Sequence, residues 1–290
     1  MTVVSFCSLK GAPGITTLAC LVGATWPAPR RVMVVECDSS GGDLATRFQL
    51  SAKVGWTSFC GPARRAESSI SIEPHLQQLP GGLDVLIGNV GTDGGDAVRS
   101  IAALLASAES SPGGEWDVLI DLGRIAAGDG RSVTCLGQSD AIVIGLQGDA
   151  PSAMHVRENV PRLFGRFADR VGLAVIGGGG YSSAEIEEFT GIPVIIEVPS
   201  DPMAAAVATG DRVGKRRLRR SLLVPSAARL AARLVQSPTA ETGRGSAGGV
   251  ADQAPRPAGG RPSNDAPDGA SPPPLVRVPT PGGRSEGVLR

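Results

Sequence analysis

Short apolar runs alternate with longer amphipathic ones from residue 2 to residue 236. The runs 2–7, 32–36, 83–87, 117–121, 141–146, 172–176 and 193–197 are nearly unbroken Val, Ile and Leu. That is the pattern of parallel strands covered on both faces. Between them, residues 15–25, 97–108, 151–167, 182–190, 202–209 and 223–236 place apolar positions at a helical period. Strand alternating with helix predicts right-handed crossovers and a doubly wound, mostly parallel α/β sheet with helices on both faces. Ligands of such sheets bind beyond the carboxyl ends of the strands. The pattern stops at residue 236. Residues 237–290 are rich in glycine and proline, carry no aromatic and show no sustained period. Such a segment cannot bury enough apolar surface to offset the entropy of ordering. We therefore expect one α/β domain over 1–236 and a disordered tail over 237–290.

Composition narrows the setting. Lysine plus arginine number 28 and aspartate plus glutamate 28, so no net field draws the chain to nucleic acid or an anionic membrane. The 5 cysteines are widely spaced, form no C-x-x-C pair and fall mostly in apolar runs. They read as small buried hydrophobes in a reducing cytosol. His75 and His155 have no companion at metal-ligand spacing. Neither a leader peptide nor an apolar run of about 18 residues is present, and the expectation is a cytoplasmic protein.

The chemistry concentrates at three strand ends. Val3–Cys7 runs into Lys10-Gly11-Ala12-Pro13-Gly14-Ile15-Thr16-Thr17, where a helical pattern begins. Glycines there let the backbone turn sharply and approach a ligand, and a helix N-terminus presents N–H groups to an anion. The usual phosphate-loop pattern has lysine before the final Ser/Thr and glycine at its start; this chain has Ile15 and Leu9. Taken alone, these residues also suit a tight strand-to-helix turn capped by threonine. Glu36 and Asp38 close the second apolar run and Asp121 the fourth. Carboxylates at strand tips serve as turn residues or as ligands of a divalent cation.

Four blocks at matching spacing carry a resemblance. Lys10 stands directly before the glycine pair, with Thr16-Thr17 after it; RVMVVECDSSGGDL occupies 31–44, WDVLIDLG 116–123 and SDAIVIGLQGDAPSAMHVREN 139–159. Over residues 2–236 the chain resembles the MinD/ParA family of deviant phosphate-loop ATPases, which place division sites, plasmids, chromosomes and pili. The resemblance implies ATP and Mg²⁺ as ligands, with residues Lys10, Gly11, Ala12, Pro13, Gly14, Ile15, Thr16 and Thr17 around the phosphates. It implies a homodimer in which Lys10 reaches the partner's nucleotide. It implies Thr16, Asp38 and Asp121 at the cation, Asp38 also orienting the attacking water, and Pro199 and Asp201 of IEVPSDP (196–202) against the base.

Three departures leave two readings open. Ile15 removes an ammonium, and a lost charge-assisted contact costs roughly 1.5–3 kcal/mol, or about tenfold or more in affinity. Pro13 has no N–H to give. Glycines at 177–180 stand where the family carries an adenine-reading Asn. One reading is a positioning switch that dimerises on ATP and hydrolyses it slowly; the other is a degenerate, non-hydrolysing scaffold of the TadZ/CpaE kind that localises a partner complex. Segment 212–220 carries Arg212, Lys215, Arg216, Arg217, Arg219 and Arg220. It suits non-specific DNA phosphate contacts, an anionic membrane surface or a solvated loop, so recruitment to nucleoid or membrane is an expectation. An activating or cargo protein is expected but not named by the residues.

Overall fold

In the computed structural model of the chain, residues 1–11, 13–65, 70–88, 94–111, 115–126, 130–208, 210, 218 and 220–236 are described. All of them belong to one unit, Met1–Gly245. The expected tail, 237–290, lies outside the described residues.

The elements run β1 (Val3–Ser8), α1 (Ile15–Ala24), β2 (Arg31–Glu36), α2 (Leu44–Phe48), α3 (Trp56–Arg65), β3 (Gln77–Gln78) and β4 (Asp84–Leu86). They continue with α4 (Gly94–Glu109), β5 (Trp116–Arg124), α5 (Gly130–Gly137), β6 (Ala141–Leu146), α6 (Ala150–Phe164) and β7 (Val171–Ile176). Then follow α7 (Ser183–Thr190), β8 (Val194–Val198), α8 (Pro202–Ala208) and α9 (Leu223–Gln236). The strands form one 8-stranded sheet in the order β3-β4-β2-β5-β1-β6-β7-β8. Every pairing is parallel except that of the two-residue edge strand β3 with β4.

The seven strands expected from the apolar runs are all present. The period-2 alternation of a strand explains how each feeds two cores. Val3 and Cys7 of β1, with Val118, Ile120 and Leu122 of β5, pack with Phe59, Leu104 and Val160 from α3, α4 and α6. Val4, Phe6 and Leu119 turn to the other face and meet Leu18, Ala204 and Leu230 from α1, α8 and α9. Helices α2, α3 and α5 were not expected. The first is 5 residues long, too short to show a period. The second contains Gly61-Pro62 and the third begins and ends on glycine, so breaker residues mask them. Where caps are explicit, ends match well: Ser182 and Glu185 form a capping box before α7, which stops at Gly191 in the left-handed region.

A charged anchor holds the edge opposite the strand tips. Asp117 is 2% exposed. It accepts hydrogen bonds from Thr2 N (2.6 Å), Trp26 Nε1 (2.8 Å), and Arg30 Nε (2.5 Å) and Nη2 (2.6 Å). Burial alone would raise its pKa, but the Arg30, Trp26 and Thr2 donors outweigh it and hold the carboxyl below its ordinary value. The anchor joins the starts of β1, β2 and β5 to the segment that follows the end of α1, at the opposite end of the strands from their tips. Asp117→Ala leaves a guanidinium and an indole N–H without their acceptor. It should cost about 3 kcal/mol or more, seen as a melting temperature lower by roughly 6–12 °C in calorimetry. An unchanged melting temperature would remove the anchor from this account.

Candidate functional site

β1 ends at Ser8, the chain turns through Gly11 (φ 66°) and Gly14 (φ 96°), and α1 starts at Ile15. Both angles lie in the left-handed region that favours glycine. No side chain caps α1, and its first turn has no acidic residue. The first N–H groups of α1 thus lack intrahelical acceptors, and the positive end of its dipole faces the loop. An anion at this point would find donors already oriented.

Thr16 and Thr17 are half-buried in that first turn. The Thr16 hydroxyl acts on the Asp121 carboxyl and opposes the rise in its pKa; Asp121 lies on β5, the strand beside β1. Asp121 is 1% exposed, and its Oδ1 accepts the Gly123 N–H at 3.0 Å. Burial pushes its pKa up to about 6; the Thr16 and Gly123 donors oppose the rise, and the charges of Glu36 and Asp38 add to it. Asp38 stands just past β2. Its Oδ1 accepts the Ser40 N–H at 2.7 Å, and a Cβ on Gly123 would lie 1.9 Å from its Oδ2. Only glycine at 123 lets Asp38 lean over the tip of β5. Thr16, Asp38 and Asp121 are therefore brought to one rim.

This arrangement suits a divalent cation. A buried carboxylate with a raised pKa and two like-charged neighbours carries uncompensated negative charge, which a hard cation would neutralise. Among the described residues no cluster of three or more His, Cys, Asp or Glu side chains could hold a metal unaided. A cation here would draw on Thr16, Asp121 and Asp38 together with oxygens from its own ligand or water.

The remaining expected residues lie elsewhere on the rim. Lys10 and Gly11 are exposed and Pro13 is half-buried, while Ala12 lies outside the described residues. Lys10 also acts on Asp149, the cap of α6, whose pKa is held low first by the Ser152 hydroxyl and N–H and less strongly by Lys10. Pro199 and Asp201 follow β8, on the other side of β1 from the acidic pair. Asp201 Oδ1 accepts the Ala204 N–H at 3.0 Å and so caps α8. Loop 177–180 lies against the start of α6: Tyr181 N donates to Gly148 O at 3.1 Å, and a Cβ on Gly179 would sit 1.9 Å from that oxygen.

Ile15 does not point into the loop. It is 4% exposed and belongs to the apolar layer of α1. A Cβ on Gly145 of β6 would lie 2.9 Å from its Cδ1 and 3.1 Å from Ile176 Cδ1. The residue that replaces the usual lysine has been absorbed into the core. Glu36 is the partner that sequence reasoning undervalued: it is 2% exposed and gathers three backbone N–H groups. The glycines at 42, 88 and 123, each tight against a carboxylate or its backbone, were the available signal.

A separate concavity of about 820 Å³ lies between α6 and α7, lined among others by Met154, Arg157, Tyr181, Ile186, Glu188 and Phe189. Arg157 stacks over the Phe189 ring, 4.8 Å from its centre. Of the basic stretch 212–220, all but Leu218 and Arg220 lie outside the described residues. No described helix is long and apolar enough to cross a membrane.

The buried charge of Asp121 has a measurable cost. Its carboxyl titrates near 6 in the fold and near 4 in an unfolded chain. The fold then binds that proton more tightly, so ionised Asp121 destabilises the protein above pH 6 by roughly 3 kcal/mol, a cost relieved as pH falls toward 4. Asp121→Asn should raise the ligand-free melting temperature at about pH 7.5 by several degrees, the gain shrinking toward about pH 4.5. Circular-dichroism melts across that range read it directly. A gain that grows with acidity has the wrong sign for this account.

No protein-family model and no curated protein matches the sequence. Solved structures do match in shape. A ParA family ATPase from Chlorobium tepidum TLS aligns over 80% of this chain and 98% of its own, at 18% identity and TM-score 0.62. MinD in the MinC:MinD complex of Aquifex aeolicus covers 81% and 96%, at 16% identity and TM-score 0.63. MinD of Pyrococcus horikoshii OT3, complexed with Mg-ADP, covers 81% and 96% at 15% identity and TM-score 0.59. The order of its strands, the loop that opens α1 and these likenesses give one conclusion: the chain is MinD/ParA-like in fold.

Proposed function

We propose that this chain is a nucleotide-dependent positioning switch of the MinD/ParA kind. It binds ATP·Mg²⁺ at the strand tips, pairs with a second copy in that state, and turns the nucleotide over slowly. One observation supports this above the rest: the buried Asp121 carboxyl, and the Thr16 hydroxyl that acts on it, stand at the foot of an uncapped α1. Asp38 leans over the same tip. A bound Mg²⁺ would neutralise charge on the transferred phosphoryl group. Thr16 and Asp121 would hold the cation, the first turn of α1 would hold the phosphates, and Asp38 would orient a water. Lys10, exposed at the mouth, would supply its charge to the partner's phosphates. Pro199 and the backbone beside Asp201 would flank the base. What the switch positions, whether DNA, division machinery or a pilus assembly, would be met by other surfaces, the basic 212–220 segment among them.

The burial of Ile15 favours a second reading, in which the fold persists as a scaffold without turnover and localises a partner complex. Two measurements divide them. Calorimetric titration with ATP·Mg²⁺ should show binding by the unmodified protein, about tenfold weaker after Lys10→Ala, with sedimentation reporting an ATP-dependent dimer that the variant lacks. Silence at millimolar ATP assigns the chain to the scaffold reading. Ile15→Lys adds an independent check. It exchanges a core side chain for an ammonium, so the ligand-free melting temperature should fall by several degrees. ATP·Mg²⁺ should then restore more stability in this variant than it adds to the unmodified protein, since ligand binding draws the ammonium out of the core. Equal increments in both would remove phosphates from the loop.

A further inference from the structure

The loop that carries Asp38 is closed on its own first residue. β2 ends at Glu36, register partner of Asp121 on β5. Glu36 Oε1 accepts the N–H groups of Asp43 (2.7 Å) and Leu44 (3.0 Å), where α2 begins. Its Oε2 accepts the Gly88 N–H at 2.9 Å, beyond the tip of β4. Its carbonyl accepts Trp56 Nε1 at 2.8 Å, from the first residue of α3. The Asp43 side chain, at the N-cap of α2, makes no capping bond to that helix and instead accepts Arg47 Nη2 at 2.8 Å, so Glu36 satisfies these donors from across the loop. Space has been cleared for it: a Cβ on Gly42 would lie 2.1 Å from Glu36 Oε2, and one on Gly88 3.1 Å from Glu36 O.

Residues 37–43 thus leave Glu36 and return to its carboxylate. Asp38 sits inside that ring, fixed at one oxygen by Ser40 and seated with the other over Gly123. A glutamine at 36 would avoid repulsion from Asp121 and Asp38. It offers one acceptor oxygen, where donors on both sides of the group need two. The carboxylate is the group that ties α2 and the tip of β4 to the end of β2, from which the loop bearing Asp38 departs.

We propose that Glu36 is the positioning residue of this site: its carboxylate clamps the 37–43 loop to α2 and the tip of β4, and thereby fixes where Asp38 stands relative to Thr16 and Asp121. The clamp itself is independent of any ligand; its consequence for Mg²⁺ and ATP rests on the nucleotide reading above.

Hydrogen–deuterium exchange tests the clamp on the full, ligand-free chain. Glu36→Gln should speed exchange at 37–44 and at residue 88 by about tenfold or more, with β1 and β5 unchanged. Gly42→Ala, which displaces the carboxylate without removing it, should do the same and serves if Glu36→Gln does not fold. Asp38→Ala should free the Ser40 N–H, which its carboxylate accepts, and leave protection at 43, 44 and 88 within about twofold. Calorimetry then reads the consequence as the ratio of ATP affinity with and without Mg²⁺. Glu36→Gln should lower that ratio several-fold, leave Mg²⁺-free affinity unchanged, and add nothing to Asp38→Ala in the double variant. Unchanged exchange at 37–44, or loosening spread over the whole sheet, overturns the clamp. Effects of Glu36→Gln and Asp38→Ala that add in full overturn positioning. If the unmodified protein binds no ATP·Mg²⁺, the nucleotide reading fails by itself, and the exchange result still decides the clamp.

Discussion

Two buried carboxylates stand side by side at the tips of β2 and β5, and the rim is organised around how each disposes of its charge. Glu36 and Asp121 are register partners, 2% and 1% exposed. Burial raises the pKa of both. The difference lies in their donors. Glu36 is answered by three backbone N–H groups from α2 and the β4 tip, which disperses its charge into the fold. Asp121 accepts one backbone N–H, with the Thr16 hydroxyl opposing the rise in its pKa, and keeps more of its charge for whatever comes to the site. One carboxylate is structural and the other is poised; their adjacency makes each more expensive and ties loop geometry to site electrostatics.

Ile15 shows how the same loop can lose a chemical group and keep its shape. The turn depends on Gly11 and Gly14 and on the start of α1. None of these needs a lysine at 15. Once that side chain is apolar, burial against Gly145 and Ile176 is worth on the order of 2 kcal/mol and holds α1 to β6. The replacement therefore exchanges a contact made only with ligand for one made always. Under the proposed function a single position would move fold stability and phosphate affinity in opposite directions, which is why shape alone does not determine turnover.

The sheet was legible because parallel strands need unbroken apolar runs, and all seven such runs became strands. Edge strand β3, two residues of glutamine, carries no apolar signal and could not be read. Helices α2, α3 and α5 were hidden for the physical reason that short or glycine- and proline-bearing segments are helical here by tertiary packing, not by local propensity. In the site, Thr16, Asp38 and Asp121 were legible because strand tips converge in any doubly wound sheet. The inward turn of Ile15 was not, since a loop position and a core position look alike in one dimension. Nor was the role of Glu36, whose partners at 43, 44 and 88 are joined to it only by the fold. Asp201 was read for the base and its side chain caps α8; carboxylates after strands serve both uses, and spacing does not separate them.

These facts set how tightly nucleotide and pairing would be coupled under the proposed function. Here the first turn of α1 offers oriented N–H groups but no ammonium, and Pro13 withholds one donor. Lys10, in the loop itself, is exposed and is the weakest of the influences on Asp149, so a second copy can reach it. A charge-assisted contact missing in one protomer and supplied only on pairing shifts free energy, roughly 1.5–3 kcal/mol, from the binding step to the association step. Occupancy and dimerisation would then rise together over a narrow concentration range, because neither state is stable without the other. Under the proposed function, a site weakened in this way would make a poorer enzyme and a sharper switch.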